Sequence, residues 1–218
     1  MSLKRQLVEA AHELDRRGLN RGSSGNCSVR ISADRFLVTP SAVPSLEVTQ
    51  ESIVCMNLGG DVIEDSPNLQ QAEPSSEWRF HRDIYRKHSG VGAIVHIHST
   101  FATSLSCLRR DIPAFHYMVA VGGGTDIRCA PYATFGTDEL SNLVLQALDG
   151  RRACLLANHG MIATGVNLSD AVRLSIEVEA LAQQFLVCLS VGQPSILTSE
   201  EIRQVLAKFS NYQNPRQK

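Results

Sequence analysis

Two histidines spaced two residues apart are the side chains of this chain best placed to do chemistry. His96 and His98 close the apolar run 93–98, which predicts a buried strand. Because side chains alternate across a strand, both imidazoles face the same side and together form a pair of metal ligands. His159, directly before Gly160 at the end of another apolar run, is the third candidate ligand. Three histidines at strand ends predict a catalytic metal site with a vacant coordination position.

The ligand type limits which metal is expected. An all-nitrogen set favours Zn²⁺ or another late divalent metal over Mg²⁺ or Ca²⁺. Three protein ligands leave room for substrate oxygens, and such a metal acts as a Lewis acid on a carbonyl. The alternative is that each imidazole is an ordinary hydrogen-bonded core residue. The remaining histidines lack the paired spacing: His12, His81, His88 and His116.

Glu77 stands at the start of a helix predicted to run to about His88. An acidic residue there is common, because the positive end of the helix dipole stabilises it. The alternative is that Glu77 is a general base beside the metal. Ser75 or Ser76 is predicted to cap the helix.

Several small polar residues lie in turns or at this helix start, and each alone is ordinary turn or cap chemistry. Together their hydroxyls, amide and backbone N–H groups could cradle a phosphate. The sequence has no Walker or dinucleotide-binding motif. The candidate phosphate-binding residues are Asn26, Ser41, Ser75 and Ser76.

The predicted elements indicate one α/β domain over residues 1–218, with a polar tail from about residue 210. Hairpins outnumber β-α-β units, which favours a mostly antiparallel sheet. Apolar on most sides, helix 168–189 should be buried or at a subunit contact. Hairpins are predicted at 27–38, 53–63 and 153–164, and helices at 3–14, 76–88, 99–108, 138–148, 168–189 and 199–209.

Composition restricts the partners and the compartment. The net charge is −1, so no concentrated basic surface for nucleic acid is expected. Charged residues or histidines interrupt each apolar run, so no membrane-spanning segment is expected. The six cysteines are scattered and the N-terminus lacks the apolar core of a signal peptide, which together predict reduced thiols in the cytoplasm.

The chain resembles the class II aldolase/adducin family in the order and type of its motifs. Two further stretches, residues 113–118 and 129–137, extend the resemblance to nearly the whole chain. The motifs that carry it are Gly25-Asn26-Cys27-Ser28, Thr39-Pro40-Ser41, Pro74-Ser75-Ser76-Glu77-Trp78, His96-Ile97-His98 and Asn158-His159-Gly160.

This resemblance implies a three-layer α/β/α fold around a mostly antiparallel sheet, and a homotetramer with active sites between neighbouring subunits. It implies that His96, His98 and His159 bind one Zn²⁺ per subunit, with another divalent metal as the alternative. Glu77 would approach the metal or act as the base. A sugar phosphate would be the partner molecule, with no nucleic acid or membrane.

The resemblance also implies roles around the substrate. The phosphate of dihydroxyacetone phosphate would lie near Asn26, Ser41, Ser75 and Ser76, beside Ala42. The family often has glycine where this chain has Ala42, and glycine lets a backbone approach a phosphate closely. Tyr117 would lie near the aldehyde oxygen. Tyr212 falls in a tail like the one that reaches a neighbour's site.

The implied reaction is zinc-dependent, reversible retro-aldol cleavage of a ketose 1-phosphate to dihydroxyacetone phosphate and a small aldehyde, which makes the protein a lyase. The expected substrate is fuculose 1-phosphate or a 5-deoxy- or 5-methylthio-ribulose 1-phosphate. Alternatives on the same fold are a sugar-phosphate epimerase, a dehydratase and a decarboxylase. A non-catalytic, adducin-like interaction module is the alternative from a different class.

Overall fold

A sheet of eight strands forms the centre of the protein in a computed structural model that describes residues 1–63 and 72–213, with side chains to residue 209. The strand order is β3-β2-β1-β4-β8-β7-β6-β5. Adjacent strands are antiparallel except for the parallel pair β6–β7, which confirms the predicted sheet type. The strands are β1 (Asn26–Arg30), β2 (Arg35–Val38), β3 (Val54–Asn57), β4 (Ala93–Ile97), β5 (Ile112–Pro113), β6 (Asp126–Ala130), β7 (Ala153–Leu156) and β8 (Gly160–Gly165).

Helices cover both faces of this sheet, so the three-layer arrangement is confirmed. One apolar core lies between the sheet and α1, α3 and α5, and a second lies between the sheet and α2 and α4. Ile202 of α6 packs separately, against Ala114 and Ala120. The helices are α1 (Leu3–Arg16), α2 (Trp78–Lys87), α3 (Thr100–Cys107), α4 (Asp138–Ala147), α5 (Leu168–Val191) and α6 (Ser199–Gln213).

The central strand β4 shows why its sequence is apolar without a break. Val95 and Ile97 point into the core with α1, α3 and α5, whereas Ile94 points into the core with α2 and α4. A strand buried on both faces has no position for a solvated side chain. His96 shares the face of Ile94, because residues two apart on a strand share a face. Its imidazole is therefore completely buried at 0% exposure.

Three sequence expectations differ from the observed elements. The hairpin expected at 53–63 is reduced to β3 and a single bridge between Met56 and Val62. Strands β5 and β6 were not predicted from the sequence. Helix α6 continues to Gln213, past the predicted end at residue 209, so Tyr212 lies in helical backbone and not in a tail. The side chain of Tyr212 and residues 214–218 lie outside the described part of the chain.

Helix α5 ends two residues beyond the predicted boundary, and its inner face is buried, as its apolar sequence indicated. Among the described residues it is the one helix whose length and composition would let it cross a membrane. Its last 18 residues contain only two charged side chains, Glu177 and Glu179, which is too few to exclude a membrane span by composition. Leu174, Val178 and Leu181 on its inner face are buried in the core beneath the sheet, as in the core helix of a globular domain.

Glu179 of α5 ties the start of α3 to the rest of the domain. Its carboxylate accepts hydrogen bonds from Ser99 Oγ at 2.7 Å, Phe101 N at 2.8 Å and Ala102 N at 2.7 Å. Ser99, the residue before α3, makes no capping bond with its own side chain. The carboxylate therefore satisfies N–H groups that a helix start leaves without partners. Because Ser99 directly follows His98, this contact also fixes the chain beyond β4.

We predict that Glu179→Gln lowers the free energy of unfolding by about 1–3 kcal/mol, because an amide cannot accept at both of its polar atoms. Urea denaturation of the metal-free protein measures the change. Glu177→Gln is the matched control, since it removes the same charge from the same helix, and the Glu177 side chain has no hydrogen bond or ion pair within the described ranges. The control should stay within about 0.5 kcal/mol of the unsubstituted protein. Equal stability of the two variants would contradict the capping role.

Candidate metal centre

Four side chains from three parts of the chain converge at one end of the sheet. His96 Nε2 lies 3.1 Å from Glu77 Oε2 and 3.0 Å from His98 Nε2. His159 Nε2 lies 3.2 Å from Glu77 Oε1. The ligand atoms of all four residues lie within 4.8 Å of one another. This spacing suits a single ion held by three nitrogens and one carboxylate oxygen.

The pairing of β4 with β8 brings the three histidines together. Ile97 is opposite Met161, so the residues that follow β4 and precede β8 meet at the same edge. Gly160 makes this approach possible, because a Cβ at that position would lie 2.5 Å from the Ile97 carbonyl oxygen and 2.8 Å from His98 Cδ2. Any side chain there would collide with the end of β4 and with the His98 ring.

A hydrogen bond to the backbone sets the tautomer of His96. Its Nδ1 lies 2.9 Å from the carbonyl oxygen of Met161, which can only accept, so Nδ1 carries the hydrogen. The Nε2 lone pair therefore faces the cluster. A second partner of this kind is usual for metal-binding histidines, since it fixes both the ring and its ligand atom.

The buried cluster keeps one negative carboxylate among largely neutral imidazoles. Burial raises the pKa of Glu77, but His96, His159 and a hydrogen bond from Asn26 outweigh it and hold that pKa well below its usual range. Burial and the neighbouring His96 lower the pKa of His98 to about 3 and that of His159 to about 4. Burial also disfavours charge on His96, yet Glu77 raises its pKa above the ordinary value. Neutral imidazoles beside an ionised carboxylate are the protonation states that a cation requires.

One polar atom of the cluster indicates directly that a cation belongs here. Glu77 Oε1 is buried and has no hydrogen-bond partner among the described residues, since its contact with His159 lacks hydrogen-bond geometry. A buried carboxylate oxygen without a partner is costly. A divalent metal would satisfy this oxygen and the three imidazole nitrogens together, so the residues present fit the group.

A cavity of about 280 Å³ opens beside His98 and His159. It is lined by every residue that the sequence analysis assigned to a phosphate: Asn26, Ser41, Ala42, Ser75 and Ser76. The side-chain amide of Asn26, however, is directed at Glu77, with Nδ2 3.0 Å from Oε2. Tyr132 and Phe135 also line the cavity and are more than half exposed.

The start of α2 differs from the sequence expectation. Neither Ser75 nor Ser76 is the capping residue, because the helix begins at Trp78 and Glu77 occupies the cap position. Ser75 Oγ instead accepts from the backbone N–H of Glu77 at 3.3 Å. The Glu77 carboxylate makes no capping bond, since it turns toward the histidines. The expectation of an ordinary first-turn acid was therefore wrong.

Ala42 adopts the left-handed conformation that favours glycine, with φ of 58°. For a residue with a Cβ this costs on the order of 1–2 kcal/mol. The backbone at Ala42 thus has the conformation that the glycine often found here in the family would adopt.

Of the two tyrosines expected near the aldehyde, Tyr117 is not brought to the cluster within one chain. Tyr117 begins a 3-10 helix, Tyr117–Gly122, is 49% exposed and does not line the cavity. The side chain of Tyr212 lies outside the described residues.

Sequence reasoning did not identify His81 as part of this site. It is completely buried and lies behind Glu77, where its Nε2 contacts Asn26 Oδ1 at 2.5 Å. The available signal was the four-residue spacing from Glu77 to His81, which places both on one face of a helix.

Comparison with known proteins assigns the family. The profile of the Class II Aldolase and Adducin N-terminal domain matches residues 5–186. The chain belongs to the class II aldolase and adducin family. Since the glutamate and all three histidines of its metal cluster are present, this family member is a class II aldolase, a lyase.

The aldolase resembles three proteins along almost its whole length. It is 48% identical over 212 residues to the 5-methylthioribulose-1-phosphate/5-deoxyribulose-1-phosphate aldolase of Rhodospirillum rubrum, covering 97% of this chain and 93% of that protein. It is 46% identical to the L-fuculose phosphate aldolase of Escherichia coli K12, covering 96% and 95%. A solved L-fuculose 1-phosphate aldolase superposes with a TM-score of 0.90 at 39% identity, covering 95% of this chain and 96% of that one.

The lowered histidine pKa values predict how the metal-free aldolase responds to pH. His81, His98 and His159 have folded-state pKa values of about 3, 3 and 4, below the value near 6.5 of an unfolded histidine. Between about pH 4 and pH 6.5 the unfolded chain therefore binds more protons at these sites, so stability rises with pH. His96, whose pKa is raised, opposes the three only in part.

We expect the urea midpoint of chelator-treated protein to be lower at pH 5 than at pH 7. His159→Asn should weaken this dependence, because one of the three sites is removed. A midpoint that is equal at the two pH values, or higher at pH 5, would contradict the assigned protonation states.

Proposed function

We propose that this aldolase uses one Zn²⁺ per subunit to cleave a ketose 1-phosphate reversibly into dihydroxyacetone phosphate and a small aldehyde. The observation that carries the proposal is the buried Glu77 oxygen without a partner, which lies among three imidazoles. The adjoining cavity, lined by hydroxyl-bearing and small residues, supports a phosphorylated substrate.

His96, His98, His159 and Glu77 would hold the metal, with another divalent ion as the alternative to Zn²⁺. When bound, the metal supplies Lewis-acid polarisation of the substrate carbonyl. The backbone bond of His96 to Met161 keeps its ring in place during the reaction.

The phosphate would lie against Ser41, Ser75 and Ser76, at the N-terminal end of α2. Their hydroxyls and neighbouring backbone N–H groups can donate to phosphate oxygens, and the positive end of the helix dipole favours an anion there. The left-handed backbone at Ala42 shapes the cavity wall beside the phosphate, and Asn26 forms another part of that wall.

Two proton transfers accompany carbon–carbon cleavage. In cleavage the C4 hydroxyl passes its proton to solvent by way of Tyr117 and Tyr212, and the C3–C4 bond breaks to give the aldehyde. The Glu77 carboxylate takes up a proton from solvent and gives it to C3 of the remaining fragment, so that the proton count balances. In the synthetic direction Glu77 removes that proton. Glu77 suits the base role of the synthetic direction because it is held ionised in a buried site beside the cavity.

Tyr117 and Tyr212 would act at the aldehyde oxygen from a neighbouring subunit of a homotetramer. The support is that Tyr117 is half exposed and lies outside the cavity of its own chain. A single-domain subunit over residues 1–218 and a cytoplasmic location complete the proposal. The absence of disulfide bonds among the described residues supports that location.

The aromatic residues at the cavity suit a small apolar aldehyde. Tyr132 and Phe135 are 54% and 63% exposed, so a substrate end that covers them would bury apolar surface. Such an end is present in fuculose 1-phosphate and in 5-deoxy- or 5-methylthio-ribulose 1-phosphate, the compounds or close relatives in the names of the two similar enzymes. The comparisons do not favour epimerase, dehydratase or decarboxylase activity, since the similar enzymes from Rhodospirillum rubrum and Escherichia coli are named as aldolases.

We predict that the purified protein releases dihydroxyacetone phosphate from at least one of these ketose 1-phosphates. A coupled dehydrogenase assay over the three substrates measures the release. EDTA should abolish activity, and Zn²⁺ should restore it better than Mg²⁺, because nitrogen ligands favour the softer ion. Absence of dihydroxyacetone phosphate from all three substrates with fully metal-loaded protein would overturn the proposed function.

We predict that Glu77→Gln lowers proton exchange at the reacting carbon of dihydroxyacetone phosphate by about 10²–10⁴-fold, since the amide cannot take up the proton. Proton NMR in D₂O follows the exchange without any aldehyde. The bound zinc of the variant must be measured in parallel, because Glu77 also faces the metal site. Undiminished exchange in a fully loaded variant would exclude Glu77 as the base.

A further inference from the structure

A chain of buried hydrogen bonds runs from Glu77 into the core between the sheet and α2. Asn26 Nδ2 lies 3.0 Å from Glu77 Oε2, and His81 Nε2 lies 2.5 Å from Asn26 Oδ1. Ser28 Oγ then lies 2.7 Å from His81 Nδ1 and 2.8 Å from the Tyr85 hydroxyl. All five residues are buried, with exposures from 0% to 6%. The hydrogen bonds beyond Asn26, which join His81, Ser28 and Tyr85, take no part in the proposed reaction.

The ionised carboxylate fixes the direction of every bond. Glu77 can only accept, so Asn26 presents its N–H group to Glu77 and its carbonyl oxygen to His81. His81 must therefore donate through Nε2, and a neutral imidazole then accepts at Nδ1 from the Ser28 hydroxyl. Ser28 accepts in turn from Tyr85. His81 is neutral in the folded protein, because burial lowers its pKa to about 3.

Strand β1 and helix α2 fix the position of this hydrogen-bond network relative to the metal ligands. Asn26 of β1 pairs directly with His96 of β4. Glu77, His81 and Tyr85 follow one another at four-residue spacing along one face of α2 and its start. The network therefore connects the strand that carries one ligand to the helix start that carries another.

We infer that His81 is a positioning residue of the metal centre. By donating to Asn26 Oδ1 it holds the Asn26 amide with its N–H group toward Glu77 Oε2. That bond fixes the rotation of the carboxylate and leaves Oε1, the oxygen without a hydrogen-bond partner, for the metal and the reacting proton. Without the His81 donor, Asn26 Oδ1 loses this hydrogen bond and nothing from His81 then holds the amide in the orientation that presents its N–H group to Glu77.

The kinetic part of this inference rests on the proposed function, but the metal-binding part does not. A purely structural role for His81 would make any substitution harmful through lost packing. A positioning role depends instead on a donor at the position of Nε2. Two amide side chains separate these roles, because the amide of glutamine reaches the position of imidazole Nε2 and that of asparagine reaches only the position of Nδ1.

The experiment compares His81→Gln with His81→Asn. We expect His81→Asn to lose about 10–100-fold in both zinc affinity and kcat, the usual effect of removing a partner behind a metal ligand. His81→Gln should recover most of both. KM should change little, since His81 does not touch the substrate cavity. Competition with a chromophoric chelator gives the zinc affinity, and urea midpoints report any loss of stability.

Equal zinc affinity and kcat in the two variants, whether both are impaired or both unchanged, would overturn the positioning role. If both variants fail to fold, ¹⁵N NMR of histidine-labelled, unsubstituted protein decides the matter, because His81 must carry its hydrogen on Nε2. A hydrogen on Nδ1 would also overturn it. Since zinc affinity needs no substrate, an inactive unsubstituted protein would refute the proposed function and still leave this test valid.

Discussion

A single carboxylate held among three imidazoles in a buried site is the interaction on which the rest of the structure depends. Glu77, His96, His98 and His159 bring one carboxylate and three imidazoles into a space that excludes most water. Such a group is costly to bury unless a cation joins it. The fold holds the four side chains in place despite the free-energy cost of burying them, and a bound metal would offset that cost by coordinating all four. Loss of any one ligand would leave the others buried without their partner.

The surrounding elements act mainly to hold these ligands at fixed distances. Strand β4 is packed on both faces, so His96 cannot shift without disturbing two cores. Glu179 caps α3 directly after His98, and the β7–β8 turn carries His159 against the end of β4. Preorganisation of this kind is what allows a metal site to act on a substrate without first rearranging. The cavity is by contrast lined by turn residues and exposed aromatic rings, whose positions are less tightly constrained by packing.

Much of this architecture was predictable because it depends on local patterns. The alternation of β4 gave the shared direction of His96 and His98, and the sheet type followed from the hairpins. Strand β6 was missed, because it is only five residues long and its partner β7 lies more than twenty residues away. The place of Glu77 in the cluster, rather than in a helix cap, depends on tertiary packing. His81 was missed for the same reason, since its partners Asn26 and Ser28 come from a distant strand.

Gly160 has a consequence for attempts to alter this enzyme by design. With the Ile97 carbonyl oxygen 2.5 Å from where a methyl group would begin, the floor of the site has no tolerance for added atoms. Mutant libraries aimed at new aldehyde acceptors should therefore leave the inner wall untouched and diversify the outer rim, where Tyr132 and Phe135 have open solvent around them. Changes in selectivity can then accumulate without loss of the ion on which turnover depends.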